Sequence, residues 1–225
     1  MRLGVILLAA GRGVRFGGDK LAACVEGRTL FARALDVAAA LGASRCVAVV
    51  SDPARALEAK ARGLLPVLND RPEAGISRSI RLGLDACDAS GACDASGACD
   101  ASGACDASGA CDASGACDAG GACDAYLFMV GDQPYLRAQS VRALIETWER
   151  GRCAIACLGC GGEPGNPVIF AARFAPELRA LSGDVGGKRV MRAHPELVRI
   201  VQADARELWD MDTPQERRRA PCSRD

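Results

Sequence analysis

The chain has 225 residues and a mass of 23.3 kDa, with 49% hydrophobic and 25% charged residues, enough for one domain with a real core and too little for two. Basic and acidic residues balance at 28 each, but seven aspartates sit in one tract that holds no Lys or Arg, so the remainder carries about +7 and suits a small anionic substrate. At 4% aromatic residues a nucleic-acid surface would lack its stacking platforms, and no apolar run approaches the roughly 20 residues that span a bilayer.

The elements follow in chain order. Leu3 to Ala10 is a continuous apolar run ending at Gly11, the pattern of a central parallel strand feeding a glycine loop. It is too short for a leader and Arg12 and Arg15 follow at once, so a cytoplasmic protein is expected. A helix is predicted from about Thr29 to Leu41 and a strand over Cys46 to Ser51. Asp52 and Pro53 then supply an N-cap and a first-turn proline for the next helix. Ser77 to Leu84 reads as the opening turns of another helix, Tyr126 to Val130 as a strand stopping at Gly131-Asp132-Gln133-Pro134, and Arg137 to Glu149 as a helix. Apolar segments at Ala154 to Leu158 and Val168 to Phe170 flank a glycine-rich turn, and Leu197 to Val201 is a late strand. Such alternation implies a three-layer α/β/α sandwich with a Rossmann-like, mostly parallel sheet.

Between these elements the sequence repeats ACDASG five times from Ala86, then reads ACDAGG and ACDA to Ala125. The tract carries seven of the thirteen cysteines. A period of six puts its cysteines on no single helical face, and a glycine in nearly every unit disfavours a helix. It reads as a tandem expansion inserted at 86–125 of one domain spanning 1–225, with a soft-metal or redox tract as the functional alternative. With an odd cysteine count and no export signal, reduced thiols are expected.

Chemistry concentrates in two places. Gly11 to Lys20 leaves a buried strand with glycines, two arginines and a lysine; freed backbone N–H groups can approach phosphate oxygens while Arg15 and Lys20 neutralise their charge. The loop is not a P-loop, since Asp19 separates Gly18 from Lys20, and it fails G-x-G-x-x-G at Phe16. Asp132 stands where a strand meets its loop, the ligand-binding edge of an open α/β sheet, and a carboxylate there can hold Mg²⁺ against substrate phosphates. Cys153, Cys157 and Cys160 have the spacing of radical iron–sulfur enzymes but fall in an apolar run, where they read as small hydrophobes. His194 is the only histidine, which excludes a multi-histidine metal site, and neither Ser79 nor Ser182 lies in G-x-S-x-G.

Taken together, Leu8-Ala9-Ala10-Gly11-Arg12-Gly13-Val14-Arg15-Phe16-Gly17-Gly18-Asp19-Lys20 resembles the L-A-A-G-x-S/G-x-R-x-G-x-x-K signature of nucleotidyltransferases. Gly75-Ile76-Ser77-Arg78-Ser79, Gly131-Asp132-Gln133-Pro134, Gly165-Asn166-Pro167-Val168, Ser182 to Lys188 and Asp210-Met211-Asp212-Thr213-Pro214 follow in the family's order. The chain is most similar to the molybdenum cofactor cytidylyltransferases, of nucleotide-diphospho-sugar transferase fold; guanylyltransferase relatives more often carry L-A-G-G at the first motif. Val185-Gly186-Gly187-Lys188 departs from the Arg-Gly-Ala-Arg run more common there, and the hexapeptide tract has no counterpart. The resemblance implies transfer of CMP from CTP to molybdenum-molybdopterin with release of pyrophosphate, and a molybdenum hydroxylase as recipient of the product. It implies Arg15, Lys20 and Asp132 as catalytic residues. Leu8, Ala9, Ala10, Gly11, Gly13, Arg15, Lys20 and Ser79 would bind the nucleotide, and Asp132 and Asp212 would hold Mg²⁺. A GTP-dependent guanylyltransferase or another small-phosphate nucleotidyltransferase is the alternative, and a nicotinamide-dependent oxidoreductase on a related fold a remote one.

Overall fold

The computed structural model describes residues 2–11, 13, 16–89, 123–151 and 153–211. Strand β1 (Leu3–Ala9) is buried along nearly all of its length, with Val5, Ile6 and Leu7 fully inaccessible. A strand with no polar face must be covered on both sides, so it sits in the middle of a sheet. A short ribbon, β2 (Cys24–Val25) against β3 (Arg28–Thr29), leads into α1 (Leu30–Ala40), whose Thr29 hydroxyl accepts the Ala32 N–H at 3.1 Å. Next come β4 (Arg45–Val50) and α2 (Pro53–Ala61), capped by the Asp52 carboxylate on the Ala54 N–H at 2.9 Å. Strand β5 (Leu65–Leu68) and α3 (Ile76–Asp88) follow, then β6 (Ala125–Val130) and α4 (Ala138–Gly151). The chain continues through β7 (Ile155–Cys160), β8 (Glu163–Ala171), the short α5 (Ala175–Arg179) and α6 (Lys188–Ala193), and β9 (Val198–Gln202).

Among the described residues the seven-stranded sheet runs β5-β4-β1-β6-β8-β7-β9. All neighbours are parallel except at β8, which is antiparallel to both β6 and β7. Alternate residues of β1 point to opposite layers. Val5, Leu7 and Ala9 pack with Leu35 of α1 and Leu144 of α4, whereas Ile6 packs with Ile80 and Leu84 of α3 and Leu178 of α5. This is the expected three-layer sandwich. From β1 the chain winds outward through β4 to β5 and then returns to β6 on the other side of β1, so the connection reverses between β1 and β6 and opens a crevice at their carboxyl ends.

The boundaries differ from the sequence reading in instructive places. Helix α3 runs on through Ala86-Cys87-Asp88, the opening residues of the hexapeptide tract, and its last unit delivers Cys123 and Ala125 to the core at the start of β6. The two ends of the tract are thus built into α3 and the approach to β6. The tract's first unit can be helical because the three residues that extend the helix precede that unit's glycine. Asp88 accepts from Arg179 Nη2 at 2.6 Å and bonds the Tyr126 hydroxyl, which fastens the end of α3 to α5 and β6. Residues 90–122 lie outside the described residues, so the arrangement of the central repeats does too. Cys157 is buried within β7 and Cys153 precedes that strand, the two packed against different core layers as small hydrophobes. His194 binds Glu177 through Nε2 at 2.9 Å and meets the Phe174 ring edge-on, a structural tie between α6 and α5.

An ion pair between an exposed arginine and a buried glutamate fixes the segment after β9. Glu207, 3% exposed, bonds the Arg137 guanidinium and accepts the Arg137 N–H at 3.1 Å. Burial alone would raise its carboxyl, but the hydrogen bonds and charge of Arg137 outweigh that and hold it below the ordinary glutamate value. An acid with a lowered folded pKa adds stability that is present in full above its unfolded value of 4.5 and is lost as pH falls through the lower folded one. Urea midpoints measured from pH 7 to pH 3 should therefore fall on the acid side for the wild type and fall less steeply for Glu207→Gln; identical slopes would remove Glu207 from the acid response.

Candidate active site

The crevice between the ends of β1 and β6 is a cleft of about 430 Å³. Its floor is Leu8, Ala9, Ala10 and Gly11 from the end of β1; one wall carries Gly13 and Lys20, the other Gly75, Ile76 and Ser79 from the start of α3, and Gly131 and Asp132 close it from β6. Every residue that the sequence nominated for nucleotide or metal contact and that the structure describes lines this one cleft. Arg15 and Asp212 lie outside the described residues.

The phosphate side is shaped by glycine where geometry demands it. Gly13 has φ +57°, and a Cβ there would fall 2.6 Å from the Gly18 carbonyl oxygen, so the loop closes only without a side chain. The Asp19 carboxylate accepts the Ala22 N–H at 3.3 Å and caps the single turn Lys20–Ala22; it also pairs with Arg55 of α2, whose guanidinium lies 5.7 Å from the Phe31 ring centre. That turn aims Lys20 across the cleft, where Nζ lies 2.7 Å from Asp132 Oδ2, with the two side chains 13% and 25% exposed. The other carboxylate oxygen, Oδ1, is buried and makes no hydrogen bond among the described residues. The Asp132 carbonyl accepts the Met211 N–H at 3.1 Å, so the segment leading into Asp212 is laid against Asp132.

The opposite wall is an N-terminal helix end. Gly75 caps α3 at φ +85°, and the Ser77 N–H donates to the Gly183 carbonyl at 3.2 Å. A Cβ on Gly75 would overlap that carbonyl and fall 2.7 Å from the Asp184 nitrogen. The helix end places partial positive charge beside the cleft and favours an anion there. Behind it Asn69, 1% exposed, donates to Ser79 Oγ at 3.0 Å and accepts from Arg78 Nε and the Arg71 N–H, each at 3.0 Å. Sequence reasoning did not single out Asn69; it belongs to no motif, and only its place after an apolar strand marks it. Asp184, Glu73 and Phe16 also line the cleft without having been nominated.

A second cleft of about 620 Å³ adjoins the first and shares Leu8, Ile76, Val130 and Asp184 with it. Its walls are apolar, with Ile80, Phe128, Val168 and Phe170, and its rim holds Lys188, Arg189 and Arg192.

Replacing Gly75 with Ala should destabilise the chain by about 2–4 kcal/mol, from the left-handed backbone and the collision with Gly183 together. Gly17 is the control: its φ is +72° but nothing lies within 4 Å of its Cβ position, so Gly17→Ala should cost only about 1–2 kcal/mol. Equal losses in urea unfolding would mean that the loop at Gly183 yields freely.

A glycine loop and a strand-end carboxylate face each other across the switch point of a mostly parallel sheet, the place where open α/β sheets bind nucleotides. The chain belongs to the MobA-like NTP transferase domain family, whose pattern it matches over residues 5–198. Its fold is similar to that of Rv0371c from Mycobacterium tuberculosis H37Rv, at 22% identity with a TM-score of 0.70, covering 98% of this chain and 97% of that one. A structure of Rv0371C in complex with manganese is similar at 21% identity and a TM-score of 0.68, covering 98% of each chain. Molybdopterin-guanine dinucleotide biosynthesis protein A from Archaeoglobus fulgidus has a TM-score of 0.59 at 15% identity, over 96% of each chain. No curated protein matches the sequence.

Proposed function

We propose that the chain transfers CMP from CTP to the terminal phosphate of molybdenum-molybdopterin, releasing pyrophosphate. The observation that carries this reading is the convergence of Leu8 to Gly11, Gly13, Lys20, Ser79 and Asp132 on one cleft beside a second one of different character. The first cleft offers backbone N–H groups, a lysine and a helix N-terminus, the donors a triphosphate needs. Lys20, with Arg15 by resemblance, would neutralise the charge that builds on the departing pyrophosphate. The second cleft, with apolar walls and three cationic side chains at its rim, suits an acceptor with an apolar ring body and a phosphate. Both clefts meet at Leu8, Ile76, Val130 and Asp184, where donor and acceptor phosphates would be brought together. No general base need be assigned, because an acceptor phosphate is already ionised at neutral pH.

The preference for cytidine rests on the sequence: Leu8-Ala9-Ala10-Gly11 stands where guanylyltransferase relatives more often have L-A-G-G, and they more often have asparagine for the acids near Asp212. The site also suits a divalent cation, taken to be Mg²⁺. Asp132 Oδ1 is a buried hard oxygen with no hydrogen-bond partner among the described residues, the donor type that Mg²⁺ selects, and Asp212 would be the second carboxylate; Rv0371C has a manganese complex. Such an ion supplies charge neutralisation to the phosphates. Lys20 meanwhile holds Asp132 in one rotamer through Oδ2, leaving Oδ1 available.

The test is pyrophosphate release with Mg²⁺ and molybdenum-loaded molybdopterin, comparing CTP, GTP, ATP and UTP. Release with CTP alone supports the assignment. Release with GTP alone would keep the site and change the product to the guanine dinucleotide, and release with none would remove the molybdopterin reaction.

A further inference from the structure

The first and last cysteines of the hexapeptide tract meet in the core. Cys87 stands in the last turn of α3 and Cys123 just ahead of β6, and they are 0% and 3% exposed. The point where a Cβ on Gly4 would fall lies 2.9 Å from Cys87 Sγ and 3.1 Å from Cys123 Sγ. Any larger residue at position 4 of β1 would displace one sulfur, so this glycine makes room for two thiols side by side. Cys123 Sγ lies 3.7 Å from the Cys87 carbonyl oxygen, which it faces as donor.

The surroundings differentiate the pair. The Arg45 guanidinium bonds the Cys87 carbonyl and lies 3.1 Å from that of Ala89, bringing a fixed positive charge to the end of the helix. The hydrogen bond from Cys87, with the charges of Arg45 and Arg2, lowers the Cys123 thiol below its ordinary value against the opposing effects of burial and Asp88. The same hydrogen bond and burial push the Cys87 thiol up. Of the two, Cys123 is therefore the readier to lose its proton.

We propose that Cys87 and Cys123 form a peroxide-oxidisable dithiol whose disulfide ties the two ends of the hexapeptide tract together at its base. The Cys123 thiolate attacks one oxygen of hydrogen peroxide, the O–O bond breaks, and the departing hydroxide takes a proton to become water, leaving Cys123 as sulfenic acid. Cys87 then attacks that sulfur; the S–O bond breaks, a second water leaves with the Cys87 proton, and the S–S bond forms. Two thiols are oxidised by two electrons and one peroxide is reduced to two waters. The disulfide closes residues 88–122 into a covalent loop and constrains the unfolded chain.

The repeat itself makes the test readable. Cleavage before aspartate releases Cys87 in the fragment Asp85–Cys87 and Cys123 in Asp118–Cys123, whereas the five intervening cysteines all emerge in identical Asp-Ala-Ser-Gly-Ala-Cys fragments. The full-length protein is treated with one equivalent of hydrogen peroxide, remaining thiols are blocked with N-ethylmaleimide, and the digest is weighed. The expected result is Asp85–Cys87 joined to Asp118–Cys123, two hydrogens lighter than the sum, with the internal fragments carrying maleimide and the melting temperature of the oxidised protein raised by several degrees. Cys87→Ser should abolish the cross-link, and Cys46→Ser, removing a neighbouring thiol outside the pair, should leave it intact. Maleimide on both terminal fragments, or a cross-link from either to an internal fragment, would overturn the proposal without depending on any variant's folding.

Discussion

Replacing Asp132 with Asn is expected to lower nucleotidyl transfer by about 10³-fold or more while leaving the fold intact. The carboxylate stands at a strand end with one oxygen on Lys20 Nζ and the other buried without a hydrogen-bond partner among the described residues. An amide keeps the shape but removes the charge that would hold a divalent cation and satisfy Lys20. The loss should fall on kcat and persist at saturating nucleotide, because the charge is needed where it develops in the transition state. Unfolding should shift as well, because the two side chains are only 13% and 25% exposed and removing one charge of a largely buried pair is destabilising. Turnover within a few-fold of the wild type, at any Mg²⁺ concentration, would take Asp132 out of the site.

Lys20→Met is the second large effect, expected at about 10²–10³-fold in kcat, or roughly 3–4 kcal/mol of transition-state stabilisation. Methionine preserves most of the aliphatic stem, so the cap by Asp19 and the packing of Leu21 should survive. The ammonium has two tasks: it orients Asp132 at 2.7 Å and offers positive charge to the departing pyrophosphate. The double variant with Asp132→Asn separates them. If Lys20 acted only by orienting Asp132, the double variant would be no worse than Asp132→Asn alone; a further loss shows an independent contact with phosphate. An unchanged rate in Lys20→Met would reduce the glycine loop to a turn.

The site was legible because its residues sit where local rules are strict. An apolar strand that ends in glycines, and a Gly-Asp pair closing a second strand, are readable from pattern alone, and the order of the motifs placed them in one family. That Leu8 and Val130 stand opposite each other in adjacent parallel strands, bringing Gly11 and Asp132 to one crevice, required the sheet order. Strand β5 escaped notice because Leu65-Pro66-Val67-Leu68 contains a proline and is a short edge strand, with Leu65 and Leu68 exposed. Strand β8 read as only Val168 to Phe170 because Pro164, Gly165 and Pro167 precede it, yet pairing with β7 extends it back to Glu163. The ends of the hexapeptide tract misled for another reason: its composition is uniform, but Cys87 and Cys123 are taken into the core by α3 and β6, and no local signal distinguishes them from the five cysteines between. Asn69 and Gly75 carry the α3 wall through tertiary contacts with Ser79 and Gly183, which spacing cannot reveal.

The central claim, that the cleft between β1 and β6 transfers a nucleotidyl group to an acceptor phosphate in its neighbour, is tested most directly by the fate of label. CTP labelled at the α-phosphorus and, separately, at the γ-phosphorus is incubated with the protein, Mg²⁺ and molybdenum-molybdopterin. The expected result is α-label joined to the pterin product, γ-label in pyrophosphate, and equal amounts of each. Appearance of the α-label as free CMP, of the γ-label as inorganic phosphate in the absence of any pyrophosphatase, or no consumption of CTP would contradict it.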